Sequence, residues 1–431
     1  MIWAYRILFL PVLLFVLPHY LLRMLRRGGY AKDFSHRFGG IGPLPKKRAE
    51  VRRIWLQAVS VGEINAVAPL LRALSARADT EVVLTTTTST GYAIAREKLA
   101  SQVLATGVFP LDFWPFSHRA WRRIQPDLVV LMEGELWPEH LRQAQRRAVP
   151  VVLINARLSD RSFRRYSRFR FVARMLFEPL ARIGAATSGD AGRFAALGVA
   201  AEKIELTGNL KFDAGAVGAV APDIVALRTA LGFGDGTDAP VLLGSSTWPG
   251  EEAVLLDVLR LARERGIPLR LLLVPRHAER RGELAALLGA TPWRWFLRSQ
   301  HPAAAPHDAD VCIADTTGEL GQLTSVASLA FIGKSLPPHD GGQTPIECAA
   351  RGVSMVYGPH MSNFRDACKG LEAADAAVRA TDAGAVVAAL LALLENPSRR
   401  ANLAANARRW HTENQGATER TSKLLEVRTK S

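Results

Sequence analysis

Ser60-Val61-Gly62-Glu63 follows the apolar run IWLQAV and opens an amphipathic stretch, which sets a carboxylate in a turn between a strand and a helix. That turn belongs to the carboxyl edge of a sheet, where ligands of α/β folds bind, so Glu63 is a candidate general base. Its structural alternative is a first-turn glutamate complementing the helix dipole. Glu133-Gly134-Glu135-Leu136-Trp137-Pro138 ends a second run, DLVVLM, with two more carboxylates at the same edge. Two acids there suit a cationic transition state or an acid–base pair, and with Pro138 they also suit a helix N-terminus; the roles are compatible. Residues 157–174 carry seven arginines interleaved with Phe163, Tyr166, Phe169 and Phe171. Guanidinium groups clamp phosphates bidentately while aromatic rings meet apolar surface, so phosphorylated lipid or nucleic acid is the candidate ligand, against an ordinary solvated helix face.

The second half repeats the pattern. Ser245-Ser246-Thr247 follows VLLG, Pro275-Arg276-His277 follows LRLLLV, and Asp315-Thr316-Thr317-Gly318-Glu319 closes DVCIAD. Gly341-Gly342-Gln343-Thr344-Pro345-Ile346-Glu347 is a glycine turn into a helix. Hydroxyls and Arg276 suit a phosphate, the backbone amides of the two glycine turns suit a nucleotide, and Glu347 can reach ribose hydroxyls. Each motif alone is routine; four on one sheet edge are harder to dismiss. Gly333-Lys334-Ser335 is not a P-loop, because the first glycine of that motif falls at Ser328. Without GxGxxG, GxSxG or HExxH, dinucleotide oxidoreductases, serine hydrolases and zinc hydrolases lose support, and no metal site is expected.

The elements that position these residues follow from the patterning. The 431 residues, 48% hydrophobic and 22% charged, exceed one ordinary core and point to two domains. IWLQAV, EVVLTT, DLVVLM, VPVVLI and RIGAAT read as buried strands, each followed by a helix-like stretch, which is the βαβ rhythm of a parallel sheet. Residues 213–240 are rich in Ala, Gly, Pro and Asp and read as a linker, after which VLLGSS, LRLLLVP, DVCIAD, SLAFIG and VSMVYG restart the rhythm. The expected layout is a membrane anchor with basic flank over 1–38, an acceptor-binding α/β domain over 39–212, the linker over 213–240 and a nucleotide-binding domain over 241–431, with the two sheets facing a common cleft. Cys312, Cys348 and Cys368 lie far apart, which favours a reducing compartment over a disulfide framework. The net charge of +15 favours anionic partners. Residues 7–22, ILFLPVLLFVLPHYLL, precede Arg23, Arg26, Arg27, Lys32 and Arg37. This arrangement seeks a membrane with its C-terminal side cytoplasmic, either spanning or lying in the interface with Trp3 and Tyr5 as anchors; a buried helix of the fold is the alternative. With such an anchor on the chain, anionic lipid is a more economical partner for the arginines than nucleic acid.

The set SVGE, ELWP, ARLS, GNLKFD, SST, PRH, DTTGEL and GGQTPIE, in this order behind a hydrophobic N-terminus, resembles the Kdo (3-deoxy-D-manno-octulosonic acid) transferases of lipopolysaccharide assembly over nearly the whole chain. The resemblance implies a GT-B fold at the cytoplasmic face of the inner membrane, with CMP-Kdo as donor, a lipid A precursor as acceptor, an anionic membrane as surface, and neither metal nor cofactor. It makes Glu63 the general base of an inverting transfer, and Glu133 and Lys211 stabilisers of the transition state. Ser246, Arg276, His277, Thr317, Gly318, Glu319, Gly342, Gln343, Thr344 and Glu347 then bind CMP, while Arg157, Arg161, Arg164 and Arg165 face the acceptor. The chain departs from the family pattern at Gln57 (usually His), at Gln343-Thr344 (usually His-Asn) and at Lys334 (usually Gly). Two other readings compete: a GT-B transferase or epimerase using a UDP-sugar, and a non-enzymatic membrane-anchored anion-binding protein.

Overall fold

The apolar runs become strands buried on both faces, as parallel sheets covered by helices require. A computed structural model of the chain describes residues 2, 3, 5–9, 11, 12, 14, 15, 31–214, 223–234 and 239–426. It divides into two units, one of Met1–Ala214 with Gln415–Ser431 and the other of Gly215–Asn414.

The first unit holds β1 (Arg52–Gln57), β2 (Thr80–Thr86), β3 (Ala105–Val108), β4 (Leu128–Met132), β5 (Val151–Ala156), β6 (Arg182–Ala185) and β7 (Ile204–Leu206). The order is β3-β2-β1-β4-β5-β6-β7, with every pairing parallel. Alternate residues go to opposite faces: Trp55, Val83, Val129 and Leu131 enter one core, and Ile54, Leu56, Val82 and Val130 the other. Helix Val61–Ser75 covers the second face with Ile64, Val67, Leu70, Leu71 and Leu74, a stripe at helical spacing. After β3 the chain crosses back to the far side of β1, so β1 and β4 are the neighbours at which the strand order reverses.

The second unit repeats this plan with β8 (Val241–Thr247), β9 (Arg270–Pro275), β10 (Trp295–Leu297), β11 (Val311–Ile313), β12 (Leu329–Ile332), β13 (Ser354–Tyr357) and β14 (Val378–Arg379). Its order is β10-β11-β9-β8-β12-β13-β14, and the reversal falls between β8 and β12. Helices Glu251–Glu264 and Ala383–Glu395 pack Leu255, Leu259, Leu390 and Leu394 on this sheet.

Two parts of the expected layout come out differently, and a third, the N-terminal anchor, lies largely outside the described residues. Residues from Gln415 on return to the first unit, where Leu424 and Leu425 bury in the core that holds Ile54 and Leu56. Burial of each such leucine contributes roughly 1.5–3 kcal/mol. The Asp213 carboxylate holds the entry to helix Ala417–Leu424 by accepting from the Gly416 (3.0 Å) and Thr418 (2.6 Å) N–H groups. Within the expected linker, residues 215–222 and 235–238 lie outside the described residues, and Ile224–Ala230 is a helix capped by Asp223. At the N-terminus, residues 1, 4, 10, 13 and 16–30 lie outside the described residues, so the apolar run 7–22 is covered only in part and most of its basic flank is not covered. Among the described residues no helix is long and apolar enough to cross a membrane. Trp3, Ile7, Leu8, Val12, Leu14 and Phe15 are exposed, whereas Tyr5 donates to Asp112 (2.6 Å) and Arg6 forms a bidentate pair with buried Glu139 (2.8 and 2.9 Å). Arg37, counted with the basic flank, is buried and donates to the carbonyls of Phe109 and Thr87 (3.0 and 2.7 Å).

Candidate active site

Glu63 sits in the first turn of helix Val61–Ser75, just beyond β1, and is 7% exposed. Its Oε2 accepts from the Val59 N–H (2.9 Å) and its Oε1 from the Ser60 hydroxyl (3.1 Å), so it does fasten the helix start. Burial raises its pKa to about 7 against the pull of those two bonds, and the charges of Glu133 and Glu135 push in the same direction. A carboxyl that titrates near neutrality in a half-open turn is what a general base needs.

Glu133 is the residue directly after β4, the strand next to β1, and its φ of 58° aims it away from the strand direction. Lys211 donates to Glu133 Oε1 at 2.8 Å, and the Asn155 amide reaches the same oxygen at 3.5 Å. Asn155, itself at φ 48°, accepts the Leu210 N–H at 3.0 Å and so ties the GNLKFD loop to the end of β5. Glu135 is held by the Trp137 indole N–H at 3.0 Å, and burial raises its pKa as well. The three catalytic residues expected in this half therefore converge. Asn155 escaped the sequence reading; a polar residue closing the otherwise apolar VVLINA was its signal. Gln57 spends its amide on Thr85 and Thr87, inside the sheet edge.

Of the expected acceptor arginines, Arg161, Arg164 and Arg165 are exposed on helix Asp160–Arg168, and Arg157 is half-buried beside the Glu133 backbone. Arg161, Arg164, Arg165, Arg168 and Arg170 make no ion pair among the described residues, and Arg165 and Arg168 lie over the rings of Tyr166 and Phe169. Phe163 and Tyr166 pack inward on the core, while Phe169 and Phe171 stay exposed.

In the second unit, Arg276 and Glu347 are electrostatic neighbours, with Arg351 beside them. Burial pushes the Glu347 carboxyl up to about 7, and its Oε2 is buried with no hydrogen-bond partner among the described residues. Ser246 (φ 54°) is the penultimate residue of β8, and Gly342 and Gln343 are bonded through their N–H groups to the carbonyls of Lys334 and Gly333. Gly342 has φ 70°, and a Cβ there would strike Met361, so the turn demands glycine. Thr344 caps the Ile346 N–H, and His277 packs edge-on against Trp248. Thr317 and Gly318 lead into Glu319, whose carboxylate is already taken by Arg298 (3.1 and 3.0 Å) and Thr316. That ion pair lowers the Glu319 pKa, which leaves backbone groups rather than this carboxylate for a ligand. Among the described residues no group of three or more His, Cys, Asp or Glu could hold a metal ion.

Residues 32–214, the stretch that carries Glu63, Glu133 and Lys211, match the family model for 3-deoxy-D-manno-octulosonic-acid transferase. The chain is 35% identical over 416 residues to the 3-deoxy-D-manno-octulosonic acid transferase of Bordetella pertussis, covering 94% of each. The chain belongs to the Kdo transferase family. It is a glycosyltransferase enzyme. A second relative, the transferase of Haemophilus influenzae, is 32% identical over 92% of this chain and 91% of its own. Among solved structures, UDP-GlcNAc 2-epimerase from Neisseria meningitidis bound to UDP-GlcNAc superposes with a TM-score of 0.59 over 86% of this chain and 99% of its own. At 14% identity that likeness concerns the two-unit α/β fold of the transferase, not its chemistry.

Proposed function

We propose that this transferase moves Kdo from CMP-Kdo to a hydroxyl of a lipid A precursor in lipopolysaccharide biosynthesis, with inversion at the anomeric carbon. The division of labour is that of a GT-B enzyme: the first unit activates the acceptor and the second binds the donor. The observation that carries the reading is the Glu63–Glu133–Lys211 group at the β1/β4 reversal, inside the stretch that matches the family. Glu63 takes the proton of the acceptor hydroxyl as its oxygen bonds to the anomeric carbon. The bond from that carbon to the phosphate oxygen breaks, and CMP leaves with the electron pair as an anion that needs no strong acid. Glu133, paired with Lys211 at 2.8 Å, stabilises the cationic sugar centre, and the ammonium offsets charge developing on the phosphate. Incubation with CMP-Kdo and a lipid A precursor tests this by mass spectrometry of the lipid: a Kdo-bearing product is expected, and its absence overturns the reading.

On the donor side, Arg276 supplies phosphate-directed charge and Glu347 awaits ribose hydroxyls through its unpartnered oxygen. Arg276→Ala and Glu347→Ala should each weaken CMP binding on the order of 10- to 100-fold by calorimetry, the usual worth of a hydrogen bond to a charged group. Unchanged affinity in both moves the nucleotide elsewhere.

The acceptor reaches the enzyme at the cytoplasmic face of the inner membrane, held there by the apolar N-terminal segment. The unpaired arginines of helix Asp160–Arg168 support that placement, because acceptor phosphates supply the anions they lack. Replacing Arg161, Arg164 and Arg165 by Gln should raise the KM for the acceptor and weaken liposome association while sparing CMP affinity. The difference should shrink as salt rises, since exposed charges are screened over about 8 Å at physiological ionic strength. Unchanged acceptor kinetics at low salt would return these arginines to an ordinary solvated face.

A further inference from the structure

The second sheet reverses its strand order between β8 and β12, and open α/β sheets bind ligands outside the carboxyl ends of such a strand pair. The groups just beyond those two ends are Trp248 and Lys334. Lys334 holds a left-handed backbone, φ 58°, a conformation that glycine adopts at least cost and that other residues keep where a ligand site or clamp requires it. Its geometry is closely determined. The buried Glu251 carboxylate accepts from the N–H groups of Lys334 (2.8 Å), Trp248 (2.9 Å), Ser335 (2.9 Å) and Leu336 (3.2 Å). The Lys334 carbonyl accepts from Gly342 at 3.0 Å. A Cβ on Gly333 would meet the Ser246 carbonyl, so the two strand ends abut.

This frame lays the lysine over the Trp248 indole, with Nζ 4.9 Å from the ring centroid, and the rings of His277 and His339 pack on the same indole at 5.4 and 5.3 Å. Lys334 makes no ion pair among the described residues, and the Trp248 Nε1 is buried without an acceptor. A strand-end cation fixed by packing on an aromatic face and left without an anion is a binding group lacking its ligand. The proposed donor carries two anionic groups, a phosphodiester and the carboxylate of its sugar acid. Arg276, beside Glu347, serves the nucleotide phosphate.

We propose that Lys334, on its Trp248 platform, binds the carboxylate of the donor sugar and selects an acidic sugar over a neutral one. This rests on the Kdo-transfer reading, so the wild-type enzyme must first yield a Kdo-bearing lipid; failure there sinks that reading and not this residue's role alone. Two full-length variants then separate charge from structure. Lys334→Gly fits φ 58° without strain and keeps every backbone bond, and Lys334→Met keeps the aliphatic stem over the indole without the charge. Both should raise the KM for CMP-Kdo roughly 10-fold or more, the loss expected for a charge-assisted hydrogen bond, while the inhibition constant of CMP, which lacks the sugar, changes less than about twofold. An unchanged KM in both variants overturns the proposal. An equal rise in the CMP inhibition constant also overturns it, by assigning Lys334 to the phosphate.

Discussion

Glu63→Gln should lower kcat by roughly 10²- to 10⁴-fold, the usual contribution of a general base, with CMP affinity unchanged. Gln keeps the shape and an oxygen to accept from the Val59 N–H, so the start of helix Val61–Ser75 persists and the loss is chemical. The wild-type pH profile carries the same signature. The base works when deprotonated, and burial next to two other carboxylates has raised its pKa to about 7 from an ordinary 4.5. The kcat/KM for acceptor should therefore climb with pH up to about 7 and flatten above it, falling about tenfold per unit on the acid side. The Gln variant should lack that limb. The raised pKa also means that the folded state binds this proton more tightly than the unfolded chain does. The contribution of Glu63 to stability is then greatest at low pH and declines as pH rises between about 4.5 and about 7. Thermal melts should accordingly find the Gln variant, which stays neutral, close to wild type near pH 4 and more stable than wild type at pH 8. Turnover within tenfold of wild type would reduce Glu63 to a helix cap.

Glu133→Gln should have a double effect. Removing the carboxylate that faces the cationic sugar centre should cost on the order of 10² to 10³ in kcat, as for other groups aimed at transition-state charge. It also removes a charge that raises the Glu63 pKa, so the acid limb of the remaining activity should move to lower pH. Lys211, 2.8 Å from Glu133 in the wild type, loses its partner, yet both groups are about a third exposed and the fold should tolerate the change. A profile whose limb moves while kcat stays would make Glu133 a tuner of the base alone; an unchanged rate and limb would leave it a counter-ion for Lys211.

Much of this was legible in the residues. LVVLM, buried at every position, reads as a strand covered on both faces, and Glu63 and Glu133 announce themselves as carboxylates directly after such runs. The order of motifs from SVGE to GGQTPIE carries the family, which the relatives bear out. Less legible were the residues whose role depends on what they meet. Glu319 and Glu347 look alike as first-turn acids, but Arg298 occupies one while an oxygen of the other has no hydrogen-bond partner among the described residues. Arg37 looks like one more basic residue behind an apolar run and is buried under two carbonyls. Asp213 looks like the start of a linker and caps a helix two hundred residues away in sequence.

The sequence by itself determined the α/β class, the two-unit count, the strand ends and the identity of the charged residues placed there. These follow from local patterning, because the period and length of an apolar run are set by how a strand or helix meets its neighbours. The tertiary structure alone decided that β1 lies beside β4 and β8 beside β12, which brings Glu63 to Glu133 and Trp248 to Lys334. It also decided that Gln415 and the residues after it rejoin the first unit. Those outcomes hang on crossovers between distant segments, and a pKa near 7 for Glu63 hangs on desolvation and on charges that crossovers deliver. No local window of residues encodes either, since both depend on which other parts of the chain exclude the water.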